Sequence, residues 1–377
     1  MTFGGPVDVA FGMAFVAIFG FLAVKTFGIV VNLVHMPRLH VGPRASDRPS
    51  TALLVPVRDE AETLPTTLPG LLAQDADAIV VLDDGSRDGS ADLARSLAGD
   101  DPRVRVLEGK PLPDGWTGKN WACHQASEAT DAELLVFTDA DVRWAPGALV
   151  AVVAEMQRQG ADAFSVFPRQ RTESLLERTL LPLIDDVLLA FLPFPLLRLP
   201  VPAAAAANGQ VLAFRRDAYA RLDGHRGVRG EIVEDVRLGQ RVRRAGLRLG
   251  LSLGADAIEV RMYRSDDALV HGLAKSLLAA HGGSRALLLA GAVWHGLVYT
   301  APVLLLPLAL LGAVPYGVGW AAPIVLAACE RWLVNAITGR GAPYEALLVP
   351  LAPLAAIPVY RLALAPTRTW KGRAYRT

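Results

Sequence analysis

Residues Val136–Gly147 read VFTDADVRWAPG. Apolar residues lead into two aspartates, Asp139 and Asp141, separated only by Ala140. A chain that ends a buried strand this way brings like charges together, and they repel unless a positive group sits between them. Taken alone, Asp-x-Asp is ordinary turn or cap chemistry. Its meaning depends on the segments around it.

Upstream, short apolar runs alternate with helical patterns. TALLVPVR (51–58) is rich in strand formers, and ETLPTTLPGLLAQ (62–74) follows with helical spacing. AIVVLDDGS (78–86) predicts a second strand, RDGSADLARSLAG (87–99) a helix closed by Gly99, and VRVLEG (104–109) a third strand. GKNWACHQASEA (118–129) predicts a helix and ELLVFTDAD (133–141) a fourth strand. This alternation predicts an α/β, Rossmann-like, mostly parallel sheet covered on both faces, within a water-soluble domain spanning 50–265. Such sheets bind ligands at the carboxyl ends of their strands. Three predicted strand ends carry polar clusters: Arg58-Asp59-Glu60, Asp83-Asp84 and Asp139 with Asp141. The repetition is more telling than any one cluster, since DDGSRDGS by itself is equally a turn followed by a helix cap.

The 377 residues are 52% hydrophobic with mean hydropathy +0.32, which directs attention to membrane segments at the two ends. The net charge of +1 gives no reason to expect nucleic acid as a partner. Cys123 and Cys329, the two cysteines, suggest neither a disulfide framework nor a metal knuckle, and suit a reducing cytosol. Residues 7–36 form an apolar stretch long enough to cross a bilayer, read as an anchor because it lacks a basic start and a cleavage site. Lys25 within it is expected to snorkel or to face another helix. Arg38, Arg44 and Arg48 follow the span, which places the next segment in the cytoplasm. Residues 286–366 hold three further apolar segments, with 266–285 an amphipathic, interfacial linker helix before them. The pair Glu330–Arg331 marks the middle segment as the one expected to stay out of the bilayer or re-enter it. The basic tail 367–377, with Arg368, Lys371, Arg373 and Arg376, argues for a cytoplasmic end. The proline-broken LIDDVLLAFLPFPLLRLPVP (183–202) reads as a piece that dips into one leaflet, or as extra domain core, and PAAAAANG (202–209) as a loop or close-packing site.

In order along the chain, VPVRDE, VVLDDGSRDGS, GWTGKNWACHQA, FTDADV and GEIVEDVRLGQRVRRAG resemble the family 2 glycosyltransferases of GT-A fold. GWTGKNWA and the closing WKGRAY are similar to the membrane-bound branch that glycosylates lipids: hopanoid-associated, carotenoid and ceramide-type enzymes. The resemblance implies a GT-A catalytic domain with α-helical transmembrane segments at both ends, in a multi-pass protein of the cell inner membrane. It implies a nucleotide-diphosphate sugar donor, UDP-glucose by default, and a membrane lipid acceptor with a hydroxyl or carboxyl group. Asp139 and Asp141 would hold Mg²⁺ or Mn²⁺, cations that prefer oxygen ligands and leave positions for phosphate. Asp83 and Asp84 would meet the nucleoside, and Pro56, Arg58 and Glu60 would lie near its base. Asp235 would be the general base of an inverting transfer, assisted by Glu234.

Some positions keep two readings. Lys119 contacts donor phosphate or acceptor, or is a solvated lysine at a helix start. Trp116 and Trp121 form an apolar wall or anchor the core. Glu234 and Asp235 are catalytic, or an acidic helix start paired with Arg237 and Arg241 one turn on. Arg261 and Arg264 contact the diphosphate or are solvated residues at a strand end, and His225 lies on the acceptor side. EVRMYRS stands where processive relatives carry Gln-x-x-Arg-Trp, and the missing Trp favours a single transfer. The competing functions are a nucleotidyltransferase of similar topology and an inactive membrane protein that binds nucleotide sugars.

Overall fold

Ten strands carry the first of two compact units: β1 (Thr51–Val57), β2 (Ala78–Asp83), β3 (Val104–Glu108), β4 (Leu134–Thr138), β5 (Val142–Trp144), β6 (Ala163–Phe167), β7 (Arg169–Gln170), β8 (Val211–Arg215), β9 (Leu249–Leu253) and β10 (Ile258–Val260). They belong to a computed structural model that describes residues 5–42, 48–197, 199, 205–365, 367–370 and 373–376. Arg44 of the basic flank, residues 202–204 of the small-residue stretch and Lys371 of the tail lie outside the described residues. This unit comprises Met36–Arg171 and Pro195–Met262.

The main sheet has the order β3-β2-β1-β4-β8-β6-β9. The four strands expected from the sequence are parallel neighbours. β8 enters antiparallel to β4 and to β6, and β9 runs parallel to β6. β1 is buried on both faces, which explains why it reads as a continuous apolar run. Leu53, Val55 and Val57 pack with Val136 and the helix Leu64–Leu72, whereas Ala52 and Leu54 pack with Phe137 and the helix Gly118–Glu128. Parallel register brings the ends of β1, β2 and β4 to one edge. Antiparallel pairing of Thr138 with Val211 brings the start of β8 to the same edge.

A small second sheet, β5-β10-β7, lies after that edge. Val260 pairs with Val142, so one step further along the ladder Arg261 falls opposite Asp141.

The second unit comprises residues up to His35, Thr172–Phe194 and Tyr263 onward. Thr172–Phe194 lies inside the 50–265 stretch by sequence but packs among these helices. Here the helix Pro182–Phe191 lies on the helix Pro6–His35, where an added Cβ at Gly28 would stand 2.0 Å from the Ala190 carbonyl oxygen. Asn32 fastens the contact: its amide donates to the Leu189 carbonyl at 2.8 Å and the Leu192 carbonyl at 3.1 Å, and accepts from the Phe194 N–H at 2.7 Å. Among the described residues four helical segments are long and apolar enough to cross a membrane: Pro6–His35, Arg285–Leu310, Gly317–Thr338 and Pro343–Ala363. The middle segment of the C-terminal block is one of them. Its Glu330 and Arg331, which argued against crossing, are buried and paired inside the unit. The helix Asp266–Ala280 buries Leu269 and Gly272 on one side and Ala274 and Leu278 on the other, and the tail segments Thr367–Trp370 and Arg373–Arg376 pair as an antiparallel ladder.

Candidate active site

The strand edge holds one connected polar cluster. Lys119 stands in the first turn of the helix Gly118–Glu128, which Thr117 caps by accepting from the Asn120 N–H at 3.4 Å. Its ammonium lies 2.8 Å from Asp139 Oδ1, 3.1 Å from Glu234 Oε1 and 3.2 Å from the Gly209 carbonyl oxygen. Lys119 is thus paired rather than free, although its side chain keeps 35% exposure, and it places a positive charge beside Asp139 at the end of β4. Burial works against its charge, but Asp139 and Glu234 outweigh that and hold its pKa well above the ordinary lysine range.

Glu234 and Asp235 open the helix Glu234–Arg244. Arg237 turns to Glu231 and Gln240, and Arg241 donates to the Leu222 carbonyl, so the anticipated pairs along the helix do not form. The acids instead face the strand edge. Asp235 Oδ2 accepts from the Gly209 N–H and Oδ1 from the Val236 N–H, both at 2.8 Å. Burial and then Glu234 raise the Asp235 pKa, to about 6 against the lowering effect of Lys119 and the two N–H groups. A carboxylate with a pKa near 6 is mostly ionised at neutral pH yet basic enough to take a proton. His225 also lines this cavity, but burial and then Lys119 lower its pKa to about 3, and its Nδ1 is paired with the Tyr219 hydroxyl at 2.7 Å.

Gly209 is a site residue that sequence reasoning missed. It sits in the Asn208–Gln210 turn before β8, where the Gln210 carbonyl accepts from the Asp139 N–H at 3.0 Å. An added Cβ would meet Glu234 Oε1 at 3.0 Å, Lys119 Nζ at 3.2 Å and Asp235 Cβ at 3.3 Å. Only glycine lets the acidic helix start come so close to the lysine. Asn120, also missed, is buried and donates to the carbonyls of Val228, Arg229 and Glu231, tying the approach to Glu234 onto the helix that carries Lys119. An Asn following Lys in a helix's first turn was the available signal.

The first and second strand ends interlock. Asp83 accepts from the Ser86 N–H at 3.1 Å through Oδ2, and its buried Oδ1 has no hydrogen-bond partner among the described residues. Arg58 donates to the Asp84 carbonyl and lies 3.9 Å from its carboxylate. Glu60 N–H donates to Ser90 Oγ at 2.8 Å. Asp59 adopts φ 50°, unusual for a residue other than glycine, and its carboxylate accepts from the Arg87 N–H at 2.8 Å. Much of DDGSRDGS is thus turn chemistry, as its isolated reading allowed, while Asp83 keeps a carboxylate oxygen for a ligand.

The structure brings Pro56, Lys119, Asp139, Glu234 and His225 around one cavity. Val142 and Val260, the residues next to Asp141 and Arg261, pair across the small sheet. Arg264 is exposed and falls at the start of the other unit, just before the helix Asp266–Ala280. Trp116 stacks on His124 and meets Trp121 edge to face, with Trp121 donating to the Lys110 carbonyl at 3.0 Å. No cluster of three His, Cys, Asp or Glu side chains suited to a metal occurs among the described residues. Asp139 and Asp141 provide oxygen donors only, which fits Mg²⁺ or Mn²⁺ completing its shell with phosphate oxygens and water.

Residues 52–222 match the family model described as "Glycosyl transferase family 2". The chain is 25% identical over 239 residues to a 4,4'-diaponeurosporenoate glycosyltransferase of Staphylococcus haemolyticus, covering 60% of this chain and 61% of that protein. It is 28% identical over 144 residues to an undecaprenyl-phosphate 4-deoxy-4-formamido-L-arabinose transferase of Aeromonas hydrophila, covering 36% of this chain and 41% of that protein. The chain thus spans less than two thirds of the length of these curated relatives. Among solved structures it resembles a mannosyltransferase from Pyrobaculum calidifontis in complex with GDP-Man and Mn2+, with TM-score 0.53, 19% identity, and coverage of 92% of this chain and 98% of the other.

Proposed function

Since residues 52–222 form a glycosyltransferase family 2 domain, we propose that this protein is an inverting, metal-dependent glycosyltransferase. It moves one sugar from a nucleotide-diphosphate donor, with a UDP-sugar as the reference case, to a hydroxyl or carboxyl group of a membrane lipid. The observation that carries this reading is the juxtaposition of an elevated carboxylate, Asp235, with the Lys119–Asp139 pair at the carboxyl edge of the sheet. The first makes a nucleophile and the second receives a leaving anion.

Asp235 Oδ2, oriented by the Gly209 N–H, takes the proton from the acceptor hydroxyl. The freed oxygen attacks the anomeric carbon on the face opposite the diphosphate, so configuration inverts. Glu234 keeps Lys119 in place, and Lys119 keeps Asp139 aimed at the edge. Asp83 and Asp84 hold the nucleoside, with Pro56, Arg58 and Glu60 at its base and Arg261 toward the diphosphate. Mg²⁺ or Mn²⁺ held by Asp139 and Asp141 would supply the neutralising charge that the departing diphosphate needs. The apolar helices Pro6–His35 and Arg285 onward anchor the domain as a multi-pass inner-membrane protein. Arg38 and Arg48 after the first helix put the catalytic unit on the cytoplasmic side, where nucleotide sugars are made.

The test is transfer of labelled sugar from UDP-glucose to a lipid extract by the purified full chain in nanodiscs. A glycolipid product that requires Mn²⁺ or Mg²⁺, is abolished by EDTA and falls sharply in Asp141→Ala is expected. Full transfer in EDTA refutes the metal, and a sugar-phosphate anhydride in place of a glycolipid refutes the reaction class.

A further inference from the structure

The helical unit buries a second polar site that the catalytic reading does not use. Lys25 is fully buried in the long apolar helix Pro6–His35, ten residues before its end, or about 15 Å along the axis. Its ammonium lies 2.7 Å from Asp186, 3.2 Å from Glu330 and in hydrogen-bond contact with the Tyr299 hydroxyl. Three other segments therefore bring polar groups to a lysine inside an apolar helix. Ionisable groups at such positions are expensive, and they mark ligand or ion sites more often than they serve packing.

These groups also border a cavity, lined by Asp186, His295, Tyr299, Glu330, Arg331 and Leu183. The lining differs from a closed ion pair in three respects. Asp186 retains 17% side-chain exposure where Lys25 and Glu330 retain 2% each. Arg331 is 6% exposed, and its Nε has no hydrogen-bond partner among the described residues, although its terminal nitrogen reaches the Arg178 carbonyl and Glu345. His295 and Tyr299 sit at a π-helical turn, Gly296–Thr300, inside the apolar segment Arg285–Leu310, and such turns recur at functional sites.

We propose that this cavity binds the hydroxyl-bearing end of a membrane lipid. This site lies in the helical unit and Asp235 in the other, so the proposal adds to the glycosyltransferase reading and does not rest on it. A hydroxyl both donates and accepts, so among the lining groups Asp186, Tyr299 and Arg331 it can donate to a carboxylate or phenol oxygen and accept from the Arg331 N–H that has no partner among the described residues. The surrounding charges select against an anion. Lys25, Arg331 and Arg340 are each already paired with a carboxylate, from Asp186 and Glu330, Glu345 and Asp185 in turn, so no unpaired cation is left for an anionic head. A phosphate head would add negative charge without a partner inside a low-dielectric medium. The exposed apolar side chains of Val187 and Phe191, on the helix that carries Asp186, provide a surface along which the lipid chain can lie.

The probe is retention of radiolabelled long-chain polyprenol, against the matching polyprenyl phosphate, by the full-length protein in nanodiscs. Wild type is expected to retain the alcohol at least tenfold better than the phosphate. Asp186→Leu should lose that retention by at least tenfold while UDP-sugar binding in the catalytic unit is unchanged. Tyr299→Phe, which keeps the packing, should lose it severalfold and decides the matter if Asp186→Leu does not fold. Unchanged alcohol retention in Tyr299→Phe, or a preference for the phosphate, overturns the proposal and leaves a structural ion cluster. Alcohol retention without UDP-sugar binding or transfer by wild type would instead sink the glycosyltransferase reading and leave the lipid site standing.

Discussion

Replacing Asp235 with Asn preserves shape but removes the proton acceptor, and the structure sets the size of the effect. With a pKa of about 6, Asp235 is ionised by about ten to one at pH 7 and protonated by about ten to one at pH 5. Transfer by wild type should therefore show an acid limb centred near pH 6. Asp235→Asn should lower transfer at least about a hundredfold at pH 7 and leave a residual rate without that limb. Stability should move the other way. The folded pKa lies above the ordinary value of 3.8, so the fold favours the protonated acid, and stability falls as pH rises from about 4 to about 6. At neutral pH the ionised carboxylate is therefore held against the fold. Asn avoids the charge but can accept from only one of the Gly209 and Val236 N–H groups, which gives back about 1 kcal/mol. The variant should thus melt higher than wild type at pH 7, with the gain shrinking toward pH 4. Initial rates of glycolipid formation, calorimetric donor affinity and melting curves across pH 4–8 check all three effects. Transfer within about threefold of wild type, or an unchanged acid limb in the variant, refutes Asp235 as the base.

Three further outcomes are expected. Gly209→Ala puts a Cβ within 3.0 Å of Glu234 Oε1 and 3.2 Å of Lys119 Nζ, so kcat should fall about tenfold or more with donor affinity little changed, read by steady-state kinetics beside calorimetry. Lys119→Met removes a group that lowers the Asp235 pKa, so the acid limb in the remaining activity should move above pH 6; a limb that stays or moves down contradicts the cluster. A reporter inserted at Gly99, a positive-φ helix end on an exposed turn, should behave as cytoplasmic, and a periplasmic signal there overturns the topology.

The parallel half of the sheet was legible because its signals are local. Each of β1 to β4 is an apolar run bounded by turn residues, and hydrophobic periodicity needs no knowledge of distant partners. Their polar ends were equally legible, since parallel strands bring all their carboxyl ends to one edge. The long apolar helices could be read the same way, although composition alone could not show that Glu330 and Arg331 find buried partners.

What tertiary structure decided depends on contacts between residues far apart in the chain. β8 runs antiparallel beside β4, and that reversal alone delivers Gly209 and its N–H to Asp235. Lys119 could be read as solvated or as functional until 20 residues of separation to Asp139 and 115 to Glu234 were closed by the fold. Likewise Lys25 could be read as snorkelling or as facing another helix until Asp186 and Glu330 met it from other helices. Sequence alone determined which residue types end each strand and which segments are apolar, because these follow from the neighbours along the chain. Which charge faces which, and therefore which carboxylate becomes a base, follows from Coulomb interaction and desolvation at distances of a few ångströms, and only the folded chain sets those distances.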